Sequence, residues 1–174
     1  MEILKAADKF KPRIIAIVKS GSSVLPWIEN PHDSDYIIYV EDKSETWISE
    51  FYKLKPKHEC WFITDISNKK ARLFQYLYHY SQLLYGELLE PRPSIFECEK
   101  EYKLILIEQL GKPLRSQKYW YHILTGIYMF ENGGYFLTEE QVKNVRLCHD
   151  KQITPEIYDY IQGQLLKYKK ELEL

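Results

Sequence analysis

The sequence predicts an α+β fold, with strands in its first half and helices in its second. Three short runs rich in β-branched and aromatic residues, at 13–18, 36–40 and 59–64, have the composition of buried strands. From about residue 68 onward, apolar residues instead recur every three or four positions, which is typical of amphipathic helices. Clear helix-start signals in the second half support the same division.

The elements of the first half follow each other closely. The strand at 13–18 ends at Ser20-Gly21-Ser22-Ser23, a turn-forming sequence, and the strand at 36–40 begins after an Asp-rich segment. Ser44 is a suitable cap for a short helix before the third strand at 59–64. We therefore expect strands separated by a turn and a helix.

The next segment has a helical pattern. Leu73, Leu77, Tyr80 and Leu84 follow each other at steps of four, three and four, which places them on one face of a predicted helix. Two prolines at positions 91 and 93 then interrupt the chain.

The remaining sequence predicts further helices. An apolar stretch covers residues 96–110, and apolar faces at helical spacing cover 120–130 and 158–168. Thr138-Glu139-Glu140-Gln141 has the form of a capping box, and Thr154 precedes a proline at a first helical position. We therefore divide the chain into an α/β core at 1–90 and a helical region at 91–174.

Composition excludes several classes of protein. The 174 residues carry a formal net charge of −1, so the chain as a whole does not attract nucleic acid. No apolar stretch is long enough to cross a bilayer, and the first residues lack the apolar run of a signal peptide, so we expect a cytoplasmic protein without a membrane partner. The 3 cysteines form no close pair, which predicts buried thiols and argues against a disulfide framework or a zinc site.

The most informative segment joins the first two predicted strands. It contains Gly21-Ser22, then ten residues, then Asp33-Ser34-Asp35 at the start of the second strand. This arrangement resembles the DNA polymerase beta-type nucleotidyltransferase superfamily, in the branch with a helical carboxyl-terminal tail that includes RNA-ligase-associated and phage proteins. The resemblance extends less specifically to the helical half and implies a small mixed sheet followed by a helical bundle.

The resemblance also implies roles for particular residues. Gly21, Ser22 and Ser23 would hold the triphosphate of a nucleoside triphosphate (NTP). Asp33 and Asp35 would bind Mg²⁺ and carry catalysis, because two cations about 3.5–4 Å apart neutralise charge at the reacting phosphate. In the family a third carboxylate completes the site. Glu59 is the first choice for it and Asp65, which also suits a helix cap, is the second.

The acidic motif departs from the family pattern at one position. Related proteins often have the order Asp-Ser-Asp-Tyr-Asp, in which the second and third acids form the catalytic pair. In this register the pair would be Asp35 and Ile37, and one metal ligand is missing. In the other register Asp33 and Asp35 form the pair, with polar Ser34 where the family prefers an apolar residue. Both registers remain open at this point.

Three functions follow from these features. The first is Mg²⁺-dependent transfer of a nucleoside monophosphate from an NTP to a hydroxyl acceptor, which the sequence leaves open among RNA, a small molecule and a protein. The second is a degenerate relative that keeps the fold and binds a nucleotide or a protein partner, as Ile37 suggests. The third is a helical interaction module with the α/β part as scaffold.

Overall fold

The chain has an α+β fold, as predicted. The computed structural model describes residues 2–11, 13–54, 60–64, 80–87, 94–114 and 120–173. These residues contain four strands and six helices. They fall into two compact units, one with the described residues up to 64 together with 80–87, and one with those from 94 onward. Within the described ranges, no helix combines the length and apolar character needed to cross a membrane.

The first unit is built on a four-stranded mixed sheet in the order β3-β2-β1-β4. β1 pairs antiparallel with β2 and with β4, whereas β2 and β3 are parallel. The three strands predicted from composition are therefore present. The elements of this unit are α1 (Glu2–Lys9), β1 (Ile14–Ser20), β2 (Asp35–Val40), α2 (Glu45–Leu54), β3 (Cys60–Ile63) and β4 (Gln82–Gly86).

One face of this sheet forms the hydrophobic core of the unit. Tyr36, Ile38 and Val40 alternate along β2 and belong to the same buried cluster as residues of α1 and α2, among them Ala7 and Phe51. Alternation along the strand therefore directs Asp35 and Ile37 to the opposite face. The core therefore places α1 and α2 on the sheet face opposite to that of Asp35.

A carboxylate just upstream of α2 braces the start of this helix. Asp42 Oδ1 accepts hydrogen bonds from the backbone N–H of Ser44 at 2.8 Å and from Trp47 Nε1 at 3.0 Å. These two bonds hold the pKa of Asp42 below its usual value. The expected helix after Ser44 is confirmed as Glu45–Leu54.

The predicted helix through Tyr80 and Leu84 is wrong for the residues that the structure describes. Leu84 lies in β4, and Tyr80 lies in a turn just before it, while Leu73 and Leu77 lie outside the described residues. β4 pairs with β1, with Tyr85 opposite Ile17. This segment is a strand because it forms hydrogen bonds with a strand more than sixty residues earlier in the sequence. The spacing of apolar residues within the segment gives no indication of those bonds.

The second unit contains four helices, α3 (Glu99–Ile107), α4 (Trp120–Asn132), α5 (Glu139–His149) and α6 (Pro155–Glu171). The helices predicted at 120–130 and 158–168 are confirmed. Thr138 and Gln141 form the predicted capping box at the start of α5, and the Thr154 side chain caps α6 ahead of its proline. α4 contacts α5 and α6, and α3 contacts α6.

Close packing and a partly exposed ion-pair network join these helices. A Cβ atom added to Gly126 of α4 would lie 2.2 Å from the Tyr102 ring of α3, so glycine allows the two helices to approach. Lys103 of α3 donates hydrogen bonds to Glu99 at 2.6 Å and to Glu171 of α6 at 2.8 Å. Burial would lower the pKa of Lys103, but these two carboxylates raise it above its ordinary value.

All three cysteines are buried free thiols, as predicted. Burial raises the pKa of the Cys148 thiol to about 12, so this group stays protonated at neutral pH. The cysteines therefore act as small apolar side chains in the packed interior.

Candidate functional site

The turn after β1 has a backbone conformation that favours glycine. Gly21 has φ 72° and ψ −161°, and a short 3-10 turn, Ser22–Val24, follows it. Backbone bonds from Val24 N to the Gly21 carbonyl at 3.3 Å and from Leu25 N to the Ser22 carbonyl at 3.2 Å hold this turn closed. A residue with a side chain rarely adopts this φ, so glycine is needed for the chain to turn here.

Asp35 lies directly against this glycine. Asp35 opens β2 and is the Cα partner of Ser20, the last residue of β1, in the antiparallel ladder. A Cβ atom added to Gly21 would lie 1.8 Å from Asp35 Oδ2 and 2.8 Å from its Cγ. The absence of a side chain at position 21 therefore makes room for the Asp35 carboxylate, and the structure brings these two predicted site residues together.

The two serines of the turn have different environments. Ser22 is buried, and Ser23 is partly buried and donates a hydrogen bond from its hydroxyl to the Ser20 carbonyl at 3.0 Å. This bond uses the hydroxyl hydrogen of Ser23 to brace the turn. Any contact of Ser23 with an anion would therefore involve its backbone N–H.

Asp33 and Ile37 lie on either side of Asp35 and differ in environment. Asp33 is exposed and precedes the first residue of β2. Ile37 is buried, pairs with Val18 of β1, and shares the sheet face of Asp35 because the two are two residues apart in one strand. The structure therefore places an apolar side chain on the strand position next to Asp35 on that face.

The predicted metal ligands form no complete cluster among the described residues. Within those ranges, no group of three or more His, Cys, Asp and Glu side chains is arranged to hold a metal ion. Glu59 and Asp65, the two candidates for a third carboxylate, lie outside the described residues. The Asp35 carboxylate is a hard oxygen ligand of the kind that suits a single Mg²⁺ ion, whereas the described residues do not complete a two-cation site.

Trp27 is a feature of this region that sequence reasoning missed. It is buried in the connection between β1 and β2, and its ring meets that of Tyr80 edge to face at a centroid distance of 5.2 Å. The signal was present as the apolar run Val24-Leu25-Pro26-Trp27-Ile28 within this connection. This contact packs the β1–β2 connection against Tyr80, which lies just before β4.

Comparisons with known proteins support the fold. No family model matches this sequence, and no curated protein matches it. The chain is similar to the crystal structure of spectinomycin adenyltransferase AAD(9) from Enterococcus faecialis with ATP and spectinomycin, with a TM-score of 0.55, 10% sequence identity and coverage of 99% of each chain. This likeness supports the broad nucleotidyltransferase fold that the Gly-Ser and Asp-Ser-Asp segment predicted. At this identity it concerns the fold alone.

Proposed function

We propose that this chain binds a nucleoside triphosphate at the turn between β1 and β2. The observation that carries the proposal is the contact between Gly21, in its left-handed backbone conformation, and the Asp35 carboxylate at the start of the adjacent strand. A turn without a side chain lets phosphate oxygens approach the backbone, and a carboxylate beside it shares a cation with those oxygens.

The backbone and the side chains at this turn would have different roles in nucleotide binding. The backbone at Gly21 and Ser22 would accept the close approach of the triphosphate, while the Ser23 hydroxyl keeps the turn closed through its bond to Ser20. Asp35 would hold one oxygen-coordinated cation next to the phosphates. A bound Mg²⁺ ion would neutralise part of the triphosphate charge, which otherwise repels the Asp35 carboxylate.

Binding is tested by calorimetry with a nonhydrolysable ATP analogue and Mg²⁺. We expect saturable binding that Asp35→Asn weakens by roughly tenfold or more, because it removes the negative charge and almost no volume. Asp8→Asn is the matched control, since Asp8 is exposed on α1, which packs on the other face of the sheet. Equal affinity of the two variants would contradict a role for Asp35.

A second candidate function is nucleotidyl transfer to a hydroxyl acceptor with Mg²⁺. Two observations favour it: the fold likeness to an adenyltransferase solved with ATP and spectinomycin, and the presence of Asp33 two residues before Asp35. In such a reaction the acceptor oxygen attacks the α-phosphorus, and pyrophosphate leaves with the bonding electron pair. Because the similar structure was solved with spectinomycin, we would test small hydroxyl compounds first as acceptors, followed by RNA and protein.

Transfer is tested by measuring pyrophosphate release from each of the four NTPs with these acceptors. If Asp33 and Asp35 act as a pair, Asp33→Asn and Asp35→Asn should both abolish release, because each removes a charge from the metal site. Nucleotide binding without pyrophosphate release under all conditions would leave binding as the function of the site.

A further inference from the structure

We propose that Ile37 limits the nucleotide site to a single divalent cation, so that this chain binds an NTP without the second cation that activates an acceptor hydroxyl. This inference rests on the nucleotide site proposed above.

The pairing of β2 defines which side chains share the face of Asp35. Asp35 is paired with Ser20 and Ile37 with Val18, two residues apart on both strands. Neighbouring positions on one face of a strand are about 7 Å apart at their Cα atoms, which allows two carboxylates to share a pair of cations. At the position next to Asp35 on this face, the chain has the apolar side chain of Ile37.

The surroundings of Ile37 are apolar as well. Val18 is fully buried opposite it in the ladder, and Ile63 of β3 is buried on the same face, where it pairs with Tyr39. A second divalent ion placed here would lose its water without gaining a charged ligand from these residues, which is strongly unfavourable. Among the residues that the structure describes, this part of the sheet therefore offers no ligand for a second cation.

Asp33 does not occupy the missing position. It is exposed and comes two residues before the first ladder pair of β2, so the pairing with β1 does not direct it to the face of Ile37. The described residues thus supply one carboxylate at the turn and an apolar neighbour. A nucleotide that brings its own cation still fits this arrangement, because Asp35 and the phosphate oxygens complete the ligand set of a single ion.

The chemical consequence concerns the acceptor hydroxyl. Transfer forms a bond between the acceptor oxygen and the α-phosphorus, breaks the bond from that phosphorus to the bridging oxygen of pyrophosphate, and requires the hydroxyl proton to leave. A second cation lowers the pKa of that hydroxyl and so promotes loss of its proton. With a single cation the nucleotide is held, and an alcohol acceptor is not activated.

The number of bound cations is measured directly on the unaltered protein. We would titrate Mn²⁺ into the complex with a nonhydrolysable ATP analogue and count bound ions by electron paramagnetic resonance. We expect one tightly bound Mn²⁺ per complex. Two tightly bound ions would overturn this inference while leaving nucleotide binding in place, whereas a failure to bind the analogue would overturn the proposed function and this inference together.

A gain-of-function variant tests the role of Ile37 itself. Ile37→Asp introduces the missing carboxylate, and Ile37→Asn has the same shape without the charge. We expect Ile37→Asp to bind a second Mn²⁺ and to raise pyrophosphate release by roughly tenfold or more over the unaltered chain, with no such change in Ile37→Asn. Circular dichroism would check that both variants fold, and the Mn²⁺ count on the unaltered chain decides the inference if they do not.

Two results would contradict the role of Ile37. One is a folded Ile37→Asp variant with a single Mn²⁺ and unchanged pyrophosphate release. The other is rapid pyrophosphate release by the unaltered chain that Asp33→Asn abolishes, because Asp33 would then supply the second carboxylate.

Discussion

At the scale of single residues, Gly21 has two independent reasons to be glycine. Its φ of 72° is costly for any residue with a side chain, and the Asp35 carboxylate occupies the space that a Cβ would fill. Gly111 offers a comparison, because it has a similar φ of +74° with nothing within 4 Å of an added Cβ. Substitutions at these two glycines therefore distinguish the cost of backbone strain from the cost of a clash with Asp35.

We predict that Gly21→Ala destabilises the protein more than Gly111→Ala. Gly111→Ala should lower the free energy of unfolding by about 1 kcal/mol, from backbone strain alone. Gly21→Ala adds the displacement of Asp35, for a total of roughly 2–4 kcal/mol, and should also weaken binding of the ATP analogue. Urea unfolding and calorimetry measure both effects. Equal destabilisation by the two variants would show that the Asp35 contact contributes little.

At the scale of an element, the start of α5 shows how a local motif is reinforced by its surroundings. Thr138 Oγ1 accepts a hydrogen bond from Gln141 N at 3.3 Å, and Gln141 Oε1 accepts one from Thr138 N at 2.9 Å. Asn132, the last residue of α4, donates a further bond to Gln141 Oε1 at 2.8 Å. The capping box thus also ties the beginning of α5 to the end of α4.

We predict that Thr138→Ala lowers the free energy of unfolding by about 1 kcal/mol, because it removes the hydroxyl that satisfies the Gln141 N–H. Thr138→Ser is the matched control, since serine keeps that acceptor and should lose only a few tenths of a kcal/mol. Urea unfolding of the three proteins gives the comparison. A loss in Thr138→Ser as large as that in Thr138→Ala would mean that the threonine methyl group, and not the cap, stabilises this site.

At the scale of the whole molecule, a buried histidine makes stability depend on pH. His122 of α4 is buried, and burial together with the neighbouring His149 lowers its pKa from the ordinary 6.5 to about 3. Between these two values the unfolded chain binds a proton at this position and the folded chain does not. The part of the unfolding free energy that depends on neutral His122 is therefore fully present above about pH 6.5 and is lost as the pH falls toward 3.

We predict that lowering the pH from 7 to 5 costs the protein about 2 kcal/mol of unfolding free energy through His122. His122→Gln should remove most of this loss, whatever its effect on stability at pH 7. His32→Gln is the control, because His32 is exposed, and it should keep the full loss. Urea unfolding at both pH values checks this; identical pH dependence in the two variants would assign the loss to other groups.

Much of the fold was predictable because its signals are local. The strands β1, β2 and β3 follow β-branched runs, and the caps at Thr138 and Thr154 follow motifs whose partners are within three residues. The same holds for Gly21 as a turn residue and for Asp35 as the first residue of β2. Which residues share one face of a strand also follows from the local sequence. The shared face of Asp35 and Ile37 therefore followed from alternation once β2 was assigned.

Other features depend on partners that are distant in the chain. The segment of β4 has a helix-like spacing at Tyr80 and Leu84, and its identity as a strand comes from hydrogen bonds to β1. The alignment of Ser20 with Asp35, which brings the carboxylate against Gly21, is a matter of ladder register. Burial of His122 likewise depends on how α4 packs with its neighbours. Pairing, register and burial arise from long-range contacts, and no local pattern of residues carries that information.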